Sequence, residues 1–298
     1  MQSSPVNKEG LGIVLYLVGV FFFAANDALG KWLVTDYGAG EILLLRSVGA
    51  VPVLLIVAYF TRTGLALRSQ WGLHTFRVLC QAGDSFCFYY ATRSMPLADV
   101  MTYYMAGPII ITAFSHFLLG ETVRLFRWTA VLVGFVGVLI ALQPTGAAFS
   151  PSAIIALIGA TMFGLSIVIT RKMRDAHWLP LVTWQFIGGG IVGATACTVT
   201  WITPGPVDIV LMFLVGITAA GCFVLITRAL AMAPASLLAP FQYSAILWAA
   251  VLGWLVWKDV PTVPIIIGNG IIILSGLVIF YRERRIHVSV SDKVEPIP

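Results

Sequence analysis

The chain has 298 residues, of which 59% are hydrophobic and only 10% are charged, and its mean hydropathy is +0.94. Soluble domains carry about 25% charged residues, so this composition excludes an ordinary water-soluble globule. The formal net charge of +5 is not concentrated on a basic soluble face, which excludes nucleic acid as a partner.

Ten apolar stretches follow one another along the chain, and each approaches the roughly 20 residues that a helix needs to cross a bilayer. Turn signals such as Gln143-Pro144-Thr145-Gly146 separate them. A backbone in lipid has to satisfy its own hydrogen bonds, so we predict helices and not open strands. The predicted spans are Gly12–Val34, Glu41–Phe60, Trp71–Ala91, Leu97–Leu119, Leu125–Leu142, Ser152–Thr170, Pro180–Trp201, Val207–Thr227, Leu237–Trp257 and Thr262–Tyr281.

The two halves of the chain share an internal repeat. When Pro96 is laid on Pro234, the same offset lays Glu121 on Asp259, so one register holds through a loop, a span and the acidic residue that ends it. Each half contributes five spans, and an odd number inverts the second half relative to the first. The predicted fold is therefore an all-α integral membrane protein with ten transmembrane helices in an inverted-topology 5+5 repeat.

The repeat divides the chain into a first unit at residues 1–146, a second unit at 147–285 and a polar tail at 286–298. If the N-terminus is cytoplasmic, most of the 18 lysine and arginine residues fall on the cytoplasmic side, as the positive-inside rule requires. We therefore predict a multi-pass membrane protein with both termini, and with them the polar tail, in the cytoplasm.

Several positions in both halves follow a pattern known from one family. They are Lys31 ending the first span, Pro96 before the fourth span and Pro108 inside it, the Gly120-Glu121 ending, the Gly134-to-Gly137 helix, Pro234, Pro240, Asp259 and the Gly268-to-Gly276 helix. In these features the chain resembles the drug/metabolite transporter superfamily, in the branch built from two tandem EamA-type units. The second half departs from the pattern at Asp259, where such a unit usually has Glu, and it has Arg171-Lys172 where the first half has Lys31.

Within this superfamily the chain is most similar, in overall sequence and not in a signature, to bacterial exporters of aromatic amino acids. The resemblance implies a secondary transporter of the bacterial inner membrane that exports small amphipathic metabolites, above all aromatic or bulky apolar amino acids, by alternating access between two inverted repeats. A broad-range drug or metabolite exporter is the alternative within the class. A non-transporting receptor or assembly subunit is the alternative from another class, although it would need large loops or a soluble tail for partner contact.

Charged residues inside the spans are the sharpest functional clue, because a charge near the bilayer centre costs roughly 2.5–3.5 kcal/mol on insertion scales. Asp84 lies near the middle of the third span, where it either binds substrate or a proton or makes a structural hydrogen bond between helices. Asp27 and Lys31 share one helix face. They either form an intrahelical ion pair or, with Arg46, a gate near the outer mouth.

Pro108 and Pro240 interrupt corresponding spans of the two halves and free carbonyl groups, which are tolerable only where protein or water meets them. We therefore predict a central cavity beside these helix breaks, with an apolar wall and a few polar groups that suit an amphipathic organic molecule. Packing against lipid is the alternative for Tyr104 and Trp184. The candidate substrate-binding residues are Asn26, Asp84, Tyr104, Phe163, Trp184, Gln185, Gln242 and Tyr243.

The sequence shows no motif for a cofactor or for catalysis. The four cysteines and four histidines do not have metal-ligand spacing, and neither a phosphate-binding glycine loop nor a Gly-x-Ser-x-Gly nucleophile turn is present. We predict a transporter without cofactor or metal and not an enzyme. An intramembrane enzyme, with a nucleophile and a base that face each other across helices, is the alternative. The predicted partners are a small-molecule substrate and the lipid bilayer, and a monomer is compatible with the sequence.

Overall fold

The computed structural model describes residues 5–34, 36–66, 70–94, 100, 103–123, 125–142, 151–198, 201–257, 263–264, 266–268, 270–271, 273–275 and 278. All regular structure in these residues is helical, which confirms the all-helical prediction for this part of the chain. The helices are α1 (Pro5–Val34), α2 (Ala39–Thr61), α3 (Trp71–Ser94), α4 (Gly107–Leu119), α5 (Leu125–Leu142), α6 (Pro151–Lys172), α7 (Trp178–Cys197), α8 (Pro206–Met232), α9 (Ala235–Leu238) and α10 (Ser244–Trp257), with a 3₁₀ helix at Ala239–Tyr243.

Among the residues that the structure describes, five helices are long and apolar enough to cross a membrane, judged by their length and composition. These helices are α1 over Lys8–Val34, together with α2, α6, α7 and α8 over their full lengths. Each of the five has at least the roughly 20 residues that the hydrocarbon layer requires at about 1.5 Å of rise per residue. Several helices of this length and composition indicate a multi-pass membrane protein.

Helix α3 is also long enough to cross a membrane but carries more polar residues than the other five. Arg77, Gln81 and Asp84 all lie on it, and all three side chains are buried. Charged residues in membrane helices usually face the bundle interior or a cavity, because the cost of exposing them to lipid is high. The polar face of α3 therefore points into the protein, and this orientation sets up the site described below.

The predicted spans Leu97–Leu119 and Leu237–Trp257 are not continuous helices. In the first half a turn at Met105–Ala106 precedes α4, whose second residue is Pro108. In the second half the 3₁₀ helix that contains Pro240 separates α9 from α10. Proline has no N–H group and clashes with the carbonyl four residues earlier, so an uninterrupted α-helix is unfavourable in both segments.

Helices of the first half pack mainly against helices of the second half. Helix α1 packs along α8, α2 packs along α7, and α3 packs along α6. This pairing is reciprocal: the first helix of each half meets the third helix of the other half, and the two second helices meet each other. Small residues allow close approach, for example where Gly216 lies so near the main chain of Arg46 that a Cβ atom would collide with it.

The largest buried apolar cluster, which we call the apolar layer, joins α1, α6 and α8 to the segment around α9. In a membrane these side chains gain little by leaving lipid, so close packing stabilises the layer more than burial from water does. Its members are Ile13, Tyr16, Val20, Ile111, Ala130, Phe163, Ile167, Val168, Cys222, Ile226, Ala229, Leu230, Ala233, Ala235, Leu237, Leu238, Ala239 and Phe241.

Candidate functional site

A cavity lies at the centre of the bundle, where α1, α2, α3, α6 and α8 surround the two interrupted segments. Its wall combines aromatic rings with an equal number of polar and charged residues, and such a combination suits a small organic molecule. The aromatic residues are Tyr16, Phe23, Phe88, Tyr89, Tyr104, Phe163 and Phe223. The polar and charged residues are Asn26, Asp27, Arg46, Gln81, Asp84, Ser85 and Gln242.

Asp84 brings an unsatisfied carboxylate oxygen to the cavity. The residue lies on α3 and is only 4% exposed. Its Oδ2 atom accepts a hydrogen bond from Gln81 Nε2 at 2.9 Å, whereas Oδ1 is buried and has no hydrogen-bond partner among the described residues. Leaving a buried acceptor of this kind unpaired is costly. Asp84 thus has one carboxyl oxygen, on a cavity-lining residue, that no described protein donor satisfies.

Gln242 brings a second unsatisfied acceptor from the other half of the chain. Its side chain lies over Gly107, where a Cβ atom would be 3.2 Å from Gln242 Nε2, so the glycine leaves room for the amide. The Oε1 atom of Gln242 is buried and has no hydrogen-bond partner in the described part of the chain. The interrupted segments of the two halves thus meet at the cavity.

Arg46 brings a positive charge to the same cavity. Its Nη2 donates to Ser85 Oγ at 2.9 Å and its Nη1 donates to Tyr89 Oη at 3.5 Å. The guanidinium carbon lies 5.8 Å from the centre of the Tyr89 ring and 5.9 Å from that of Phe186, and such cation–π contacts offset part of the cost of burying the charge. The Nε donor has no partner within the residues that the structure describes.

Asp27 lines the cavity together with Asp84 and Arg46. The cavity therefore brings two carboxyl groups and one guanidinium group together. The side chain of Lys31 lies outside the described part of the structure. The ion pair between Asp27 and Lys31, and the gate that would include Arg46, stay predictions.

Asn26 faces the cavity, but the protein already uses its amide donors. The Nδ2 atom donates to the main-chain oxygen of Val215 at 2.6 Å and to Thr218 Oγ1 at 3.1 Å. These bonds tie α1 to α8 beside the cavity, as polar side chains often do between membrane helices. The contribution of Asn26 to substrate binding stays a prediction.

Tyr104 and Phe163 also lie at the cavity. Tyr104 is 8% exposed, its hydroxyl donates to the main-chain oxygen of Asp84 at 3.0 Å, and its ring meets Phe88 edge-on at 5.3 Å. The Phe163 ring lies 5.9 Å from that of Phe23. The alternative in which Tyr104 packs against lipid is therefore wrong.

Three predicted substrate-binding residues do not line the cavity. Trp184 is 37% exposed on α7, and its indole N–H donates to a main-chain oxygen between α2 and α3 at 3.0 Å. Gln185 Oε1 accepts from Arg77 Nη1 at 3.0 Å. The hydroxyl of Tyr243 donates to a main-chain oxygen of α5 at 3.1 Å. Each side chain bonds within the protein, because a membrane interior offers no water to replace such partners.

The sequence prediction missed several cavity residues. Four of them lie on α3 within five residues of Asp84, so helical periodicity around that aspartate would have found them. Three others lie on α1 and α8, where apolar residues cover every face of the helix and give no signal. The missed polar and aromatic residues are Gln81, Ser85, Phe88 and Tyr89 of α3, and Tyr16, Phe23 and Phe223 of α1 and α8.

A bundle of membrane-crossing helices that encloses a polar and aromatic cavity beside two interrupted helices has the architecture of a membrane transporter. The chain belongs to the EamA-like transporter family, whose sequence profile matches residues 10–143 and again residues 150–281. This match confirms the prediction of two tandem EamA-type units in the drug/metabolite transporter superfamily. The family and its relatives are transporters and not enzymes.

Transporters from three bacteria match this chain over nearly its whole length. The S-adenosylmethionine uptake transporter of Rickettsia bellii is 24% identical over 286 residues, which are 95% of this chain and 98% of that protein. The pseudopaline exporter of Pseudomonas aeruginosa is 26% identical over 281 residues, 92% of this chain and 97% of that protein. The riboflavin transporter of Vibrio cholerae is 26% identical over 271 residues, 89% of this chain and 91% of that protein.

A solved crystal structure shares the fold. It aligns with a TM-score of 0.79 at 17% sequence identity, and the alignment covers 90% of this chain and 98% of the other. At this identity the likeness concerns the arrangement of helices and carries no information about the transported molecule.

Proposed function

We propose that this protein is a secondary transporter that exports small amphipathic metabolites, with aromatic or bulky apolar amino acids as the preferred cargo and the central cavity as their binding site. The observation that carries the proposal is the convergence of unsatisfied polar atoms within an aromatic wall. A carrier of this kind needs only a small-molecule substrate and a membrane, and a monomer suffices.

The polar atoms of the cavity match the head group of an amino acid. Asp84 Oδ1 and Gln242 Oε1 are acceptors without partners, and they suit an ammonium group. Arg46 Nε is a donor without a partner, and it suits a carboxylate, for which guanidinium is a strong ligand. The aromatic wall then takes the apolar side chain, because ring–ring contacts add to the gain from packing.

A broad-range exporter of drugs or metabolites is the second candidate, and the polar groups of the cavity are compatible with it. The unpaired acceptors Asp84 Oδ1 and Gln242 Oε1 suit the ammonium group of an amine as well as that of an amino acid. The relatives are named for three different organic molecules and include both an uptake transporter and an exporter. Family membership therefore allows either cargo and either direction.

We further propose that ten spans form a 5+5 inverted repeat of residues 1–146 and 147–285, with the tail at 286–298 and both termini in the cytoplasm of a bacterium. The reciprocal packing of the two halves and their interrupted segments support this arrangement. A cysteine at Gly146 in a cysteine-free background tests the topology. We expect an impermeant maleimide to label it in intact cells, whereas labelling only after permeabilisation would contradict the model.

Purified protein in liposomes tests the transport function itself. We expect labelled phenylalanine to cross these membranes faster than it crosses protein-free membranes, and unlabelled aromatic amino acids to compete with it. Flux of hydrophobic amines with little flux of amino acids would favour the broad-range exporter. If neither these compounds nor any other member of a wide solute panel moves, a non-transporting receptor or assembly subunit is the better explanation.

A further inference from the structure

Glu121 makes a set of contacts that substrate binding does not explain. It follows the C-terminus of α4, and its carboxylate reaches the start of α9 in the other half of the chain. Oε1 accepts from the main-chain N–H of Ala235 at 3.3 Å, and Oε2 accepts from the N–H and the hydroxyl of Ser236 at 3.2 and 2.7 Å. The first N–H groups of a helix have no partners inside it, so Glu121 caps α9 from a distance of more than 100 residues in sequence.

Two arginines complete this cluster, which we call the Glu121 clasp and define as Glu121, Arg127, Arg171, Ala235 and Ser236. Arg171 Nε lies 3.5 Å from Glu121 Oε1, and the two side chains are only 11% and 14% exposed. Arg171 Nη1 also donates to a main-chain oxygen of α8 at 2.7 Å. Arg127 Nη1 donates to Ser236 Oγ at 2.9 Å. The clasp thus joins the ends of five helices from both halves.

The apolar layer connects the Glu121 clasp to the cavity. Along α8 the layer extends from Ile226, which lines the cavity, to Leu230, whose carbonyl accepts from Arg171. Along the next segment it extends from Ala235 in the clasp to Phe241, which directly precedes the cavity residue Gln242. Any displacement of α9 therefore disturbs both the layer and the position of Gln242.

We propose that Glu121 is a positioning residue for transport: its carboxylate anchors the segment at residues 235–243, keeps Gln242 in the cavity, and must release α9 when the cavity opens at this end. The proposal rests on the proposed transport function. It predicts that weakening the clasp shifts the protein toward states in which the apolar layer is accessible from the end where α4 terminates.

Alkylation of a buried cysteine measures that shift without any cargo. Leu237 is 1% exposed and lies in the apolar layer, so Leu237→Cys in a cysteine-free background reports opening. We expect its rate of reaction with N-ethylmaleimide to rise about tenfold in Glu121→Ala and less in Glu121→Gln, which keeps the length of the side chain and one acceptor. Asp175→Asn is the matched control, because Asp175 is a nearby, 96% exposed carboxylate, and the rate should not change there.

Unchanged alkylation in both Glu121 variants, or an equal rise in Asp175→Asn, would overturn the proposal. If Glu121→Ala does not fold, Glu121→Gln decides alone, with thermal unfolding as the check that the protein is intact. Because alkylation needs no substrate, its result stands even if the cargo is not an amino acid.

A reversible cross-link separates release of the clasp from simple loss of stability. Glu121→Cys and Ser236→Cys can be joined by a cleavable bifunctional methanethiosulfonate reagent. We expect flux of labelled phenylalanine to fall at least about tenfold on cross-linking and to recover on reduction. The control pair Arg174→Cys and Asp175→Cys, joined within one connection, should not respond. Unchanged phenylalanine flux in the cross-linked protein would contradict the claim that the Glu121 clasp must release, but it would leave the proposed transport function in place.

Discussion

Asp84 lies at the centre of the helix bundle and Glu121 lies at one end of it, and the protein uses these two acidic side chains differently. Both oxygens of Glu121 accept hydrogen bonds from the second half of the chain, whereas Asp84 Oδ1 reaches the cavity without a described partner. A carboxylate whose oxygens are satisfied holds helices together, and one with an unsatisfied oxygen can bind a molecule. Hydrogen-bond partners, and not charge alone, therefore separate binding residues from structural ones.

The largest effect is expected when the free carboxylate of the cavity is removed. Asp84→Asn keeps the size of the side chain but replaces the carboxyl group with an amide, so we expect phenylalanine flux in liposomes to fall about 100-fold, which corresponds to about 2.7 kcal/mol. Both accumulation against a gradient and downhill exchange should be lost, because substrate contact is needed for both. Loss of accumulation alone would instead assign Asp84 to proton coupling, and survival of both activities would make it structural.

Removal of neutral cavity groups should have a smaller effect. We expect Gln242→Ala and Tyr104→Ala each to weaken the apparent affinity for phenylalanine about tenfold, or roughly 1.4 kcal/mol. Gln242 has an acceptor without a partner, and Tyr104 contributes its ring to the wall. Thermal unfolding should show that both variants are folded. An unchanged KM in both variants would show that Gln242 and Tyr104 do not contact the substrate.

A matched pair of glutamines tests whether hydrogen-bond partners predict the role of a residue. Gln185 accepts from the buried Arg77, so Gln185→Ala should lower the free energy of unfolding by about 1 kcal/mol, the scale of a hydrogen bond between membrane helices. The KM of the Gln185→Ala variant for phenylalanine should stay unchanged. In Gln242→Ala, by contrast, the KM should rise while the protein stays folded. A raised KM without loss of stability in Gln185→Ala would contradict the distinction.

The smallest effect is expected at the exposed indole of α7. Trp184 lies away from the cavity and donates to a main-chain oxygen, so Trp184→Phe should change KM by less than about twofold. Initial rates of phenylalanine uptake over a range of concentrations provide the measurement. A tenfold change would return Trp184 to the set of substrate-binding residues.

The sequence predicted the helical architecture and the interrupted segments because these depend on local chemistry. Apolar stretches of membrane length and prolines such as Pro108 and Pro240 are visible without any tertiary information. The same reasoning identified Asp84, since an ionisable side chain in a membrane helix is costly unless it faces a cavity or a polar partner. Six further predicted residues also line the cavity: Asn26, Asp27, Arg46, Tyr104, Phe163 and Gln242.

The rotation of each helix about its axis could not be predicted. Neighbouring residues on a helix point about 100° apart, so Trp184 reaches the exterior while Gln185 meets Arg77. Gln242 and Tyr243 likewise diverge, one toward the cavity and the other toward α5. Helices that are apolar all round give no preferred face, and only the packing of the neighbouring helices decides which side chain enters the cavity.

The central claim is that the cavity binds an amino acid through its head group and an apolar side chain. Competition against labelled phenylalanine in liposomes tests it most directly. We expect unlabelled aromatic amino acids to compete best, and lysine to compete at least about tenfold more weakly, because its second ammonium group would have to leave water in a cavity whose unpaired acceptors already hold the first. Equal competition by lysine and phenylalanine would contradict this account of the cavity.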